Sequence, residues 1–224
     1  LHLLVTGAAL HTADHYRQNL RLLTGALGCD GRPVVTVRQV HGDGVHVIDH
    51  DATDRAPVDA DAMITDRGDR LLMIRVADCV PVLLSDRTGR VVAAVHAGWR
   101  GTVAGVVQQT LAVMRERFDV SPADVLAAVG PAISAEHFEV GPEVAQVFID
   151  AGLPQAVVSR PGRKPHVDLP AAVAGLLRHA GLPAAAIDMT DRCTYRDAVD
   201  FYSHRRDQGQ TGRLAAVIQP TRNF

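Results

Sequence analysis

The chain has 224 residues, with 23 Lys and Arg against 25 Asp and Glu, a formal net charge of −2 when its 11 histidines are neutral. That near balance argues against nucleic acid or an anionic membrane as the main partner, because both reward a concentrated basic surface. Hydrophobic residues at 47% and charged residues at 21% exclude a disordered or collagen-like chain, and a chain of this size buries roughly 70% of its extended surface without needing a disulfide or structural metal.

The opening Leu1-His2-Leu3-Leu4-Val5 lacks the basic region and apolar run of a signal peptide, and stretches such as Val91 to Val95 are only strand-long, so a cytoplasmic protein is expected. From Asp14 to Leu27, Tyr16, Leu20, Leu23 and Leu27 recur at helical spacing, with Gly28 placed for a left-handed cap. Val34 to Val40 and Val45 to Ile48 are β-rich and read as a hairpin joined by His41-Gly42-Asp43-Gly44. Asp51 to Asp61 is acidic and reads as a surface loop before a short strand, Ala62 to Thr65. Leu71 to Val76, Val80 to Leu84 and Val91 to Val95 are nearly continuous apolar runs, as expected of strands covered on both faces. Pro81 lacks an N–H, so Cys79 is expected at a kink before the second of them. A helix is expected from Val103 to Arg117, with Val106, Val107, Leu111 and Met114 inward and Thr102 as its cap, after a glycine-bearing turn. Val125 to Val129, Ile187 to Thr190 and Leu214 to Ile218 read as strands, and Pro142 to Ala151 and Leu169 to Ala180 as helices. Without regular βαβ alternation the class is α+β or irregular α/β, in one domain spanning residues 1–224.

Nine aromatic residues are too few for a nucleic-acid stacking platform. The three cysteines, Cys29, Cys79 and Cys193, are odd in number and widely spaced, which indicates neither a disulfide framework nor a zinc ribbon. His41, Cys79 and His96 all fall at breaks beside strands. A thiolate and two imidazoles suit zinc and leave a fourth position open, as catalysis requires. The same three residues equally suit a cysteine nucleophile with a histidine base, or an inert core thiol with turn histidines. Other histidines, among them His11, His15, His46, His50, His166 and His179, read as solvated. Arg100 and the helix start at Gly101-Thr102 offer donors to a single anion, with Arg205 as a second clamp. The run Phe201 to Asp207 also reads as a sheet-edge strand carrying charges.

Eight segments in order carry a resemblance: Gln39-Val40-His41-Gly42, Ala60-Asp61-Ala62, Ala77-Asp78-Cys79-Val80-Pro81, Ala94-Val95-His96-Ala97-Gly98-Trp99-Arg100-Gly101, Gly130-Pro131-Ala132-Ile133, Phe138-Glu139-Val140-Gly141, Asp191-Arg192-Cys193-Thr194 and Phe201-Tyr202-Ser203-His204-Arg205-Arg206-Asp207. From about Leu20 to Ile218 the chain resembles the multicopper polyphenol oxidase (laccase-domain) family, also described as a purine nucleoside phosphorylase family. The resemblance implies a layered α/β/β/α fold and one zinc held by His41, Cys79 and His96. It also implies phosphorolysis of adenosine, inosine and methylthioadenosine, and deamination of adenosine. Purine nucleoside and phosphate are the implied partners, with Asp78 as the acid or base and Gln39, Arg100 and Arg205 binding substrate. A monomer or small homo-oligomer is expected. The older label implies copper and phenol oxidation, which needs more clustered histidines than the two placed here. A metal-free Cys79–His96 hydrolase and a non-catalytic nucleoside-binding protein are the alternatives. The Gly- and Ser-rich opening segment and Asn-Leu-Gly motif of the family are not seen at Leu1-His2-Leu3-Leu4, so part of the pocket is expected to be absent or built differently. His137 stands where many members carry a small residue or Cys, as a further polar group near the site or an exposed variant.

Overall fold

The structure is a computed structural model that describes residues 13–29, 31–49, 58–159 and 161–221. The opening residues, His11, His50 and most of the acidic 51–61 segment lie outside that range. Helix α1 (Ala13–Ala26) ends before Gly28, whose φ of 62° is the left-handed cap expected of it. The strands and helices that follow are β1 (Val34–Val35), β2 (Val45–Val47), β3 (Ala62–Thr65), β4 (Leu71–Val76), β5 (Val80–Asp86), β6 (Val92–Ala97), α2 (Trp99–Ala104), α3 (Val106–Phe118), β7 (Val125–Val129), α4 (Pro142–Asp150), β8 (Val157–Val158), β9 (His166–Val167), α5 (Leu169–His179), β10 (Ile187–Met189) and β11 (Leu214–Ile218).

Two mixed sheets carry the fold. One runs β10-β7-β5-β6-β3-β2, the other β1-β4-β11, and β8 pairs with β9 alone. Side-chain alternation along β4 explains the stacking. Leu71 and Met73 meet Leu23 of α1 and Val217 of β11, whereas Leu72 and Ile74 turn to Met63, Leu83 and Ala94 of the larger sheet. The opposite face of the larger sheet, with Ile64, Val82, Leu84 and Val95, is covered by Val107, Leu111 and Met114 of α3, Phe148 of α4 and Val173 of α5. The layers are therefore α/β/β/α, and the apolar runs β4, β5 and β6 are continuous because both faces are covered.

Five expectations are corrected. Residues 34–48 are not a hairpin: β1 joins β4 in parallel and β2 joins β3 in parallel, in different sheets. Hydrophobic period identifies strands but not partners, and His41, at φ 61°, turns its loop away from a strand pairing. The predicted helix at 103–117 is two helices, broken at Gly105 with φ 98°, and the first opens at Trp99 on Gly98. Thr102 is thus inside α2, its N–H bonded to the carbonyl of Gly98, and caps nothing. His166 is buried, with Nδ1 hydrogen-bonded to the carbonyl of Ala135 at 2.7 Å. Residues 201–203 are irregular and 204–209 form turns, so 201–207 is not an edge strand. His179 is exposed as expected.

Candidate metal centre

The three donor residues reach one point from three elements. His96 lies on β6 on the same face as Val92 and Ala94, toward the smaller sheet, and is 3% exposed. Cys79 sits on residues 77–79, which carry the chain from β4 in one sheet to β5 in the other. Asp78 takes φ 86° there, so the expected kink is a left-handed residue beside the cysteine. His41 lies on the loop before β2. The ligand atoms of His41, Cys79 and His96 all fall within 4.8 Å of one another, and the two imidazole rings meet edge to face with centroids 4.8 Å apart.

Two glycines make this approach possible. A Cβ on Gly98 would stand 2.9 Å from Cδ2 of His41 and 3.1 Å from Sγ of Cys79. A Cβ on Gly101 would stand 2.7 Å from the carbonyl oxygen of Gly42. The His41 loop therefore seats against the start of α2, and the glycines near His96 are there for close approach. Of the two residues expected at the helix start, Thr102 has its N–H bonded to the carbonyl of Gly98, while Gly101 lies in the first turn of α2.

Asp61, fully buried, organises the donors. Its Oδ1 accepts from the N–H of His41 at 2.9 Å and lies 2.7 Å from Nδ1 of His96, while Oδ2 accepts from the N–H of Gly42 at 2.7 Å and of Val40 at 3.2 Å. Burial pushes the Asp61 carboxyl up, but these bonds, that of His96 foremost, hold it below the usual range. Burial would pull His96 down, yet Asp61 and Cys79 raise it to about 9. Burial would push the Cys79 thiol up, yet hydrogen bonds with His41 and His96 lower it to about 7. The set fits zinc: one soft sulfur and two imidazoles, one backed by a carboxylate at its second nitrogen. Ideal tetrahedral zinc bonds place such donors roughly 3.3–3.7 Å apart, so closing on a metal needs about 1 Å of side-chain movement at the widest pair.

A cavity of about 790 Å³ opens on this point, and Gln39, His41, Asp78, Cys79, His96, Arg100 and Arg205 all line it. Every site residue expected from the sequence is thus on one wall or another of the same space. Some are already engaged. Gln39 donates to the carbonyl of Arg75 at 2.8 Å and accepts from its N–H at 2.9 Å, completing an amide pair with β4. The Asp78 carboxylate accepts from the Thr194 hydroxyl at 2.6 Å and from the N–H of Arg205 at 2.7 Å, so both oxygens are bound. Arg100 lies over the ring of Trp99 at 4.3 Å, and Arg205 lies over Phe138 at 5.3 Å while donating to the carbonyl of Glu139. Arg38, Arg75 and Arg213 also face the cavity. Arg38 pairs with Asp59, whereas Arg75, Arg100, Arg205 and Arg213 have no carboxylate partner among the described residues.

His137 stacks on Tyr195 at 4.5 Å and does not line the cavity. Cys193, fully buried, accepts from the N–H groups of Ser134 at 3.3 Å and Arg196 at 3.4 Å. Cys29 is buried beside α1, with Sγ 3.5 Å from the carbonyl of Thr24. Phe201 and Tyr202 pack with Val76, Cys79 and Leu214. Asp61 and Thr194 are the residues that site reasoning from sequence missed. A carboxylate set between Ala60 and Ala62 at the head of a buried strand was the available signal for Asp61, hidden by the acidic loop before it.

Comparison with known proteins agrees with this architecture. The chain is 41% identical over 201 residues to a purine nucleoside phosphorylase of Deinococcus radiodurans, covering 90% of this chain and 76% of that protein. It is 36% identical over 207 residues to purine nucleoside phosphorylase YfiH of Escherichia coli K12, covering 92% and 81%. The fold matches the crystal structure of YfiH from Bacillus licheniformis with a TM-score of 0.87 at 30% identity, over 96% of this chain and 85% of that one. It also matches the Neisseria meningitidis protein NMB0706 with a TM-score of 0.84 at 34% identity, over 99% and 91%. The family model described as multi-copper polyphenol oxidoreductase laccase matches residues 8–221, and with the layered fold and the relatives above it establishes that the chain belongs to that family.

Proposed function

We propose that the protein is a zinc-dependent purine nucleoside phosphorylase that also deaminates adenosine, with His41, Cys79 and His96 as the metal ligands. The observation that carries this reading is the meeting of a His–Cys–His donor set with arginines that lack acidic partners, in one cavity. Relatives named purine nucleoside phosphorylase support it. In phosphorolysis a phosphate oxygen bonds to the anomeric carbon of ribose as the bond to the purine nitrogen breaks, giving free base and ribose 1-phosphate. Arg100 and Arg205 bind and orient the phosphate, each held in place by an aromatic face. Bound zinc supplies Lewis-acid charge at the donor set. Asp78 holds the Arg205 segment against the cysteine segment through its two hydrogen bonds, and with one bond accepted on each oxygen its carboxylate keeps lone pairs for the role of acid or base.

Copper in coupled centres is disfavoured by the donor count: among the described residues, only this one group of three His, Cys, Asp or Glu side chains lies close enough to share a metal. Residues 1–224 are read as one domain, supported by a family match that runs from 8 to 221. A second reading, amide or ester hydrolysis by Cys79, is favoured by one arrangement: the thiol hydrogen-bonds to His96, which in turn bonds to Asp61. The deciding experiment measures zinc content and phosphate-dependent release of hypoxanthine from inosine by the purified protein. Bound zinc and hypoxanthine that both vanish in Cys79→Ala are expected. Absence of both from the wild-type protein sinks the phosphorylase reading, and esterase activity that survives chelation favours the hydrolase.

A further inference from the structure

The buried groups outside the donor set single out Asp61. Its carboxylate accepts three backbone N–H groups of the 40–42 loop and faces Nδ1 of His96, with no exposure to solvent. Its backbone joins the same parts: its N–H donates to the carbonyl of Gly44 at 2.9 Å, and its carbonyl accepts from the N–H of His96 at 2.7 Å. Neither histidine reaches the centre by local structure alone. His41 is a non-glycine residue at φ 61° on an exposed loop, and His96 belongs to a strand of the other segment.

We infer that Asp61 is the positioning residue of the centre, one carboxylate that fixes both histidines, His41 through its backbone and His96 through its ring. The inference rests on the metal reading above. An ionised carboxylate only accepts hydrogen bonds, so Asp61 dictates that Nδ1 of His96 carries a proton and that Nε2 is the metal-facing nitrogen. It also counters the left-handed strain of His41 with charge-assisted bonds to three consecutive N–H groups. Asn at this position keeps the shape but has a single acceptor oxygen. Where its amide faces His96 it donates to Nδ1 and places the ring proton on Nε2, the tautomer that cannot ligate.

The test compares wild-type protein with Asp61→Asn by zinc affinity in competition with a chelator, by backbone hydrogen exchange of residues 40–42, and by nitrogen NMR of His96. Zinc affinity is expected to fall about 10–100-fold, as for other partners of metal-bound histidine, with at least tenfold faster exchange at residues 40–42. The zinc-loaded wild-type protein should keep its His96 proton on Nδ1. A folded Asp61→Asn protein with zinc affinity within twofold of wild type overturns the inference. So does a wild-type zinc complex whose His96 proton is on Nε2, a measurement that decides the matter even where the variant does not fold. If wild-type protein binds no zinc, the metal reading fails and the exchange experiment still judges Asp61: unchanged protection of residues 40–42 overturns its role, and lost protection upholds it.

Discussion

Asp78 and His41 both hold left-handed backbone, at φ 86° and 61°, and each is tied down by a carboxylate: its own in one case, that of Asp61 in the other. A non-glycine residue in that region costs on the order of 1–2 kcal/mol, and Asp and Asn tolerate it best. Asp78→Ala should therefore cost about 2–3 kcal/mol of stability, since it adds the loss of one buried and one part-buried hydrogen bond. Asp78→Asn should cost less, because it keeps one acceptor. Denaturant unfolding of both proteins checks the order, and equal costs would show that the carboxylate does nothing for the turn. Gly98→Ala makes a second test at this scale. Its methyl group must displace His41 or Cys79, so zinc affinity should drop at least tenfold, an outcome read by chelator competition. His41, Cys79 and His96 stood out in the sequence as metal or nucleophile types at strand breaks, but their spacing left inert readings open; the motifs of the resemblance grouped them, and the fold brings their ligand atoms within 4.8 Å of one another. Asp61 did not stand out, since one acid at the edge of an acidic stretch looks like solvated surface until a strand buries it.

Elements were read well where their own period settled them. The inward residues of α3, Val106, Val107, Leu111 and Met114, are all buried as expected, and β4 through β6 fall within about two residues of their expected bounds. The pairing of β1 and β2 was misread because partner choice depends on distant strands, which local pattern does not encode. The division of the helix at Gly105 follows from that residue's left-handed φ of 98°, and Gly105→Ala should destabilise the protein by about 1 kcal/mol without touching the donors. Met114→Ala empties a fully buried site between α3 and the larger sheet and should cost about 2–5 kcal/mol. Thermal unfolding of the two variants ranks them, and a larger loss from Gly105→Ala would refute the packing account. The segment at 192–200 has its own acid dependence. Arg196 first and Arg192 next hold the Asp197 carboxyl well below its ordinary value. The segment's stabilisation is therefore complete above about pH 4 and is lost as pH falls through that depressed value. Asp197→Asn should flatten the dependence of hydrogen exchange at Cys193 on acid, and an unchanged profile would remove Asp197 from the account.

At the scale of the molecule, any ligand that binds only the folded chain stabilises it. Zinc at a thousandfold excess over its dissociation constant contributes about 4 kcal/mol, or roughly 8–16 °C in melting temperature for a chain of this size. Chelation should lower the melting temperature by that amount in wild-type protein and by much less in Cys79→Ala. A melting temperature indifferent to chelation would exclude a tightly held metal. The continuous apolar runs and amphipathic helices made a mixed fold with strands covered on both faces legible, the α/β/β/α layering came from the family resemblance, and the order of strands in each sheet was not legible.

Residues 77–79 carry the chain directly from the end of β4 to the start of β5, and so from one sheet to the other at the centre itself. The cysteine sulfur therefore rides on a crossover, while His96 is fixed to the larger sheet. Any sliding of the sheets past one another must register as a change in the sulfur-to-imidazole separation. The centre is in effect a strain gauge for the sandwich: substitutions that loosen the interface between Leu72, Ile74 and Leu83 should weaken ion retention before they disturb the backbone.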